Sequence, residues 1–251
     1  MPKLSLYLFF SLFISVYAQV PEYTIVQIDK VKYNENKEIG GSFTVSISYP
    51  LFNESGQNPE LAKTLNSSIN KLLETEDQSV EERVNNMLID YETFLENVDY
   101  FAELWYNNST TLTITNNSVI TLTNEMEEFS GGAHGSGLTY YENYLIKTGK
   151  KISLSDLLVT GGIEQLTELA ENAFRINNDL TGKDLNEEGY FFTDGKFVLN
   201  ENFKITESGL LFHYNLYEIG PYVMGPTQLE MPYIKMQKLI KKEGPIGFAL
   251  N

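Results

Sequence analysis

The chain has 251 residues, 42% hydrophobic and 21% charged, enough to bury a sizeable core as one large domain or two small ones. Its 34 acidic residues against 18 basic ones give a formal charge of -16, which repels nucleic acid and anionic lipid and attracts cationic partners. No cysteine is present, which excludes a disulfide framework and a lipid-modified N-terminal cysteine. An exported protein of this kind relies on its core alone, as suits a bacterial envelope protein.

Residues 1–18 read as a secretory signal: Lys3 forms the positive n-region, and residues 4–16 are an apolar run of 13. Small-side-chain positions at 16–18 then predict cleavage after Ala18. That run falls short of the roughly 20 residues a membrane span needs, so the mature chain is expected to be secreted or periplasmic, without an integral span. The glycosylation sequons at Asn53, Asn66, Asn107, Asn108 and Asn116 matter only in a eukaryotic secretory pathway.

Residues 23–33 and 42–49 alternate as half-buried strands, the second with Phe43, Val45, Ile47 and Tyr49 on one face. Asn58 as N-cap and Pro59 at the first position open a helix whose stripe is Leu61, Leu65, Ile69 and Leu72. Ser79 and Glu82 form a capping box for a second amphipathic helix running through Val84, Tyr91 and Phe94 to Val98. Its aromatic residues read as core. Trp105, the single tryptophan, follows.

Residues 110–115 and 119–123 flank Asn116-Asn117-Ser118. A three-residue loop pairs Ile114 with Ile120 and Leu112 with Leu122, whereas a two-residue loop sets the isoleucines and leucines against threonines. The hairpin leads into residues 128–137, four glycines of which (Gly131, Gly132, Gly135 and Gly137) fall within seven positions around His134. Such a backbone must visit φ > 0 or pass close to something. It reads either as a bulged turn whose imidazole bonds neighbouring backbone, or as a ligand loop. No Lys-Ser/Thr follows the glycines, and a strand rather than a helix comes next, so a phosphate cradle fails.

Beyond the Tyr-rich strand at 138–146, residues 153–158 form a short helical piece closed by Gly161-Gly162, and a third helix ends near Asn177. Residues 179–189 read as a polar, mobile loop. Strands are expected at 190–192 and 197–199, and at 209–217 with Leu210, Phe212, Tyr214 and Leu216 on the apolar face. Pro232 opens a last helix to Ile240, and residues 241–251 read as a loosely held tail. The order of elements predicts an α+β fold, antiparallel sheet packed by two N-terminal amphipathic helices and further shorter ones.

No constellation for chemistry emerges. Two histidines, His134 and His213, lie 79 residues apart, and the absence of cysteine leaves only carboxylates as metal ligands. Neither histidine has a Gly-x-Ser-x-Gly nucleophile elbow to serve, so no catalytic residue, metal or cofactor is assigned. Paired carboxylates for glycoside cleavage remain open, since 34 acids always supply pairs on paper.

Three stretches in order carry a resemblance: the Gly131-Gly132-Ala133-His134 turn before the Tyr-rich strand, residues 148–158 from Thr148-Gly149-Lys150-Lys151 onward, and residues 217–225 ahead of Met231-Pro232-Tyr233. Together these resemble the extracytoplasmic domain of unknown function found in RsiV-type anti-sigma factors and PdaC-type peptidoglycan deacetylases. The resemblance covers about 125–240, and residues 42–123 resemble its N-terminal companion. Together with the signal at 1–18 and the tail at 241–251, it gives two subdomains, 19–124 and 125–240. It also implies a non-catalytic module recognising peptidoglycan, another envelope component or a lysozyme-like cationic hydrolase. His134, Gly132, Tyr140, Tyr144, Tyr217 and Tyr222 are the candidate binding residues. The alternative is a cell-wall glycan hydrolase or deacetylase-associated enzyme using His134 and nearby carboxylates. Gly135 and Gly220 stand where the family pattern suggests proline and alanine.

Overall fold

The computed structural model describes residues 12–13, 20–36, 38, 40–95 and 103–250. The signal-like segment therefore lies outside the described residues except for Leu12–Phe13, and so does Val98. The fold is α+β, with a larger sheet in the order β1-β2-β3-β4-β5-β6 and a three-stranded one, β7-β8-β9. Two compact units divide the chain: Met1–Thr111 with Asn124–Gly137, and Leu112–Thr123 with Leu138–Asn251.

The first unit holds β1 (Leu12–Phe13), β2 (Tyr23–Tyr33), β3 (Ser42–Phe52), α1 (Pro59–Leu72) and α2 (Val80–Leu95). β2 and β3 pair antiparallel along their whole length, from Tyr23↔Phe52 to Tyr33↔Ser42. On β3, Val45 and Ile47 are fully buried, while Phe43 and Tyr49 are half-buried. β3 then pairs parallel with β4 (Glu103–Thr115), Ser42 opposite Glu103, so the larger sheet is not wholly antiparallel. Parallel neighbours need a long crossover, and the two helices between these strands supply it.

Helix α1 begins at Pro59, but Asn58 takes a left-handed conformation (φ 53) and its side chain makes no capping bond. Its carbonyl accepts from Ala62 N–H instead. The buried stripe is Leu61, Leu65, Ile69 and Leu73, an i, i+4 series that replaces the expected Leu72. At α2 the capping box is present: Ser79 N–H donates to Glu82 Oε2 at 2.8 Å, and Glu82 N–H to Ser79 Oγ at 3.2 Å.

In the second unit, the loop joining β4 to β5 (Val119–Phe129) has three residues, with Asn116 and Asn117 at φ 45 and 51. The one-faced burial expected there does not hold. Val119, Ile120, Thr121 and Leu122 are all 0% exposed, so this stretch of β5 is covered on both faces. Two buried threonines of the hairpin find partners across the unit: Thr121 Oγ1 of β5 donates to Asn143 Oδ1 at 2.8 Å, and Thr115 Oγ1 of β4 to the Ile205 carbonyl at 3.1 Å. Asn143, on β6 (Ser136–Leu145), also donates to the Phe203 carbonyl and accepts from Ile205 N–H.

α3 (Leu154–Leu157) is capped by Ser153 and Asp156. Gly161-Gly162 does not close it: Gly161, at φ 73, is the N-cap of α4 (Gly162–Asn177). Phe174 of α4 is fully buried among Tyr190, Phe192 and Phe197, at ring distances of 5.1, 5.9 and 5.2 Å. That cluster is why the strands expected at 190–192 and 197–199 are absent: the aromatic residues tuck inward around a 3-10 turn at Thr193–Gly195. The preceding loop is likewise held, since Leu180 and Leu185 are core residues and Arg175 bonds the Lys183 carbonyl at 2.8 Å.

The smaller sheet is β7 (Phe203–Ile205), β8 (Gly209–Tyr214) and β9 (Thr227–Pro232), antiparallel throughout. β8 stops at Tyr214, short of the expected 217. The helix after Pro232 is only α5 (Tyr233–Met236), continued as a 3-10 turn over Gln237–Leu239. The C-terminal residues are not loose: Ile246 is fully buried, and Phe248 meets the Tyr233 ring at 5.9 Å.

Candidate functional site

The glycine-rich loop of the first unit follows β5. Gly131 and Gly132 take φ 102 and 96, a region in which a side chain is strained. His134 is exposed, and its Nδ1 lies 3.0 Å from the Gly135 carbonyl. A carbonyl can only accept, so Nδ1 carries the proton and Nε2 of the neutral ring is the acceptor. Gly135 is required for a different reason: a Cβ there would meet the Glu128 carbonyl at 2.8 Å and Trp105 Cζ2 at 3.7 Å. Gly132 is exposed and has open space beside it.

Glu128 and Trp105 belong to the wall of a cleft of about 380 Å³, formed in the first unit by α2, β4 and the end of β5. Tyr91, Phe94, Leu104 and Phe129 also line it, with Asp90. Tyr91 is wedged between Phe43 and Phe94, at ring distances of 5.5 and 6.2 Å. It is only 4% exposed, and its hydroxyl meets no hydrogen-bond partner among the described residues. Leaving such a hydroxyl unsatisfied costs on the order of 1–3 kcal/mol, and burial raises its pKa. Sequence reasoning assigned Tyr91 and Phe94 to the core and missed this cleft. Acidic residues beside those rings, such as Asp90, occur on any amphipathic helix, so the sequence carried no distinct signal for the cleft.

The tyrosines chosen from sequence separate in the second unit. Tyr144 is a core residue, 4% exposed, its hydroxyl donating to Glu142 Oε2 at 2.7 Å, so it presents no surface to a partner. Tyr140 is 43% exposed on β6. Tyr217 and Tyr222 come together with ring centroids 5.8 Å apart, in a loop that also exposes Val223 and Met224. Tyr217 takes φ 64, unusual for a bulky residue. The loop is anchored on either side of this display: Glu218 accepts from Asn215 N–H at 2.7 Å and Asn200 Nδ2 at 2.9 Å, and the buried Ile219 accepts from Phe191 N–H at 3.0 Å. Gly220 makes room for the loop's own methionine, because a Cβ there would lie 2.7 Å from Met224 Sδ. His213 is buried, edge-on to Tyr141 at 6.1 Å, and takes no part in this surface. Among the described residues no group of three or more His, Cys, Asp or Glu could hold a metal ion.

This arrangement, an α+β chain carrying two successive family segments, is matched by family models. Residues 33–137 match the model described as deacetylase PdaC, and residues 155–234 the model of a protein family of unknown function, DUF3298. The chain thus carries, in this order, a segment similar to the PdaC model and a segment similar to the DUF3298 model. A crystal structure of a DUF3298 family member from Bacteroides fragilis superimposes with a TM-score of 0.70 at 20% identity, over 94% of this chain and 99% of that one. A DUF3298 family protein from Pseudomonas aeruginosa gives 0.59 at 20% identity, over 86% and 94%. At that identity the likeness is one of fold. No curated protein matches the chain.

Proposed function

We propose that the chain is an exported, non-catalytic binding module of the cell envelope, and that its recognition surface is the 217–225 loop of the second unit. The observation that carries this reading is Tyr217: a strained backbone (φ 64) holding a ring that is 56% exposed beside Tyr222, Val223 and Met224. Packing alone does not explain a strained residue that points outward, and contiguous exposed apolar side chains mark interaction sites. The formal charge of -16 suits a cationic partner, steering it to the surface over distances that salt limits to about 8–10 Å. A lysozyme-like hydrolase fits both features, and peptidoglycan is the other candidate. No helix among the described residues is long and apolar enough to cross a membrane. Secretion through the N-terminal signal is part of the same reading.

The test is calorimetry of the full chain with a lysozyme and, separately, with soluble peptidoglycan fragments. Saturable binding to one of them, weakened at least tenfold in Tyr217→Ala and in Val223→Ser, is the expected result. Silence with both withdraws the reading. Turnover of a peptidoglycan fragment that is lost in His134→Ala would favour the hydrolase alternative instead.

A further inference from the structure

We infer that the cleft of the first unit is a site for a small amphiphile with an aromatic or aliphatic body and a positively charged amine. The volume, about 380 Å³, lies in the range of small-ligand pockets. Most of the lining is aromatic, with Tyr91, Trp105 and Phe129 offering ring surface to an apolar body. The charged residues among the lining are Asp90 and Glu128, both acidic. Arg83, outside the lining, pairs with Glu74 Oε2 at 2.8 Å and stands 5.8 Å from the ring centroid of the lining residue Tyr106.

Three ligand classes compete for such a site. An anion would have to approach two carboxylates with no cation among the described lining residues to receive it. A neutral sugar wants many directional partners, and beyond the carboxylates the side-chain donors and acceptors are few: the Tyr91, Tyr106 and Trp105 heads and the Ser130 hydroxyl. An ammonium gains on each count. It pairs with Asp90 or Glu128, and it is attracted to the aromatic faces of the wall. The wall is also built rather than incidental. Tyr91 is fixed between Phe43 and Phe94, and the glycine-rich loop runs against Glu128 and Trp105, where even a methyl group at 135 would collide with the Glu128 carbonyl. This inference stands apart from the surface proposed above, which belongs to the other unit.

Trp105 is the only tryptophan and lines the cleft, so its fluorescence reports the site directly. The full chain is titrated with phenethylammonium chloride, and with 3-phenylpropanoate and 2-phenylethanol as anionic and neutral counterparts. The expected result is a saturable change with the ammonium at least tenfold tighter than with the carboxylate, weakening as salt is raised. The double variant Asp90→Asn, Glu128→Gln is expected to lose the preference for the ammonium over the alcohol. Its two positions are exposed or half-buried, so the double variant is expected to stay folded and is the decisive one. Equal affinity for the carboxylate, no saturable response to any of the three, or a charge preference that survives in a folded double variant would each overturn the inference.

Discussion

The loops at 131–135 and 217–225 both enter the left-handed region, and they do so by opposite means. In the first, glycines stand at the positive-φ positions, so the backbone turns without strain. In the second, Tyr217 takes φ 64 at a cost of about 1–2 kcal/mol while its ring remains mostly exposed. The first loop is shaped by what it packs on, the Glu128 carbonyl and the Trp105 ring. The second is shaped by what it displays, and the bonds at Glu218 and Ile219 offset its strain.

That contrast can be broken at several points. The largest effect is expected from Phe174→Ala, which empties the aromatic cluster in the core that also holds Ile219. A loss of about 3–5 kcal/mol in urea denaturation is expected, and a loss under about 1 kcal/mol would show that the second loop needs no such support. Gly135→Ala comes next, at about 1–3 kcal/mol, because the added methyl meets backbone rather than a flexible side chain. Gly132→Ala, with open space but φ 96, is expected to cost only about 1–2 kcal/mol of backbone strain. If the order of these two reverses, the first loop is limited by conformation and not by packing.

A smaller effect lies outside both loops. Asp156 is held at about 2, below its usual 3.8, chiefly by the Lys150 ammonium and then by Ser153 N–H. The stabilisation is therefore complete above pH 3.8 and lost as pH falls toward about 2. The pair is largely open to water, so Asp156→Asn is expected to cost under about 1 kcal/mol at pH 6 and nothing near pH 1.5, checked by chemical denaturation at both. Smallest for stability is Tyr217→Gly. Relief of strain, loss of ring contacts and greater unfolded-state freedom offset one another to within about 1 kcal/mol, while binding of the partner falls at least tenfold. Equal loss of stability and binding would make Tyr217 a structural residue.

Much of the scaffold was legible because its causes are local. The Ser79–Glu82 box, Pro59 at the start of α1 and the alternation of β2 and β3 each depend on residues within a few positions of one another. The misreadings share another cause. Tyr190, Phe192 and Phe197 look like strand residues until Phe174 draws them into a cluster from at least 16 positions away. Tyr144 and Tyr217 are the same residue type in similar company, yet one is buried and the other displayed. Tyr91 and Phe94 show the apolar stripe of any core helix, and nothing in their spacing tells that a cleft was left open against them.

The sequence by itself determined the α+β class, the helix starts, the three-residue hairpin loop and the glycine-rich turn, because propensity, capping and turn chemistry act over a few bonds. Only the tertiary structure decided that β3 and β4 run parallel, that β5 is covered on both faces along Val119 to Leu122, and that the Tyr91 hydroxyl is buried without a described partner. Burial and satisfaction are properties of what lies opposite a side chain, and segments distant in the chain choose that neighbour.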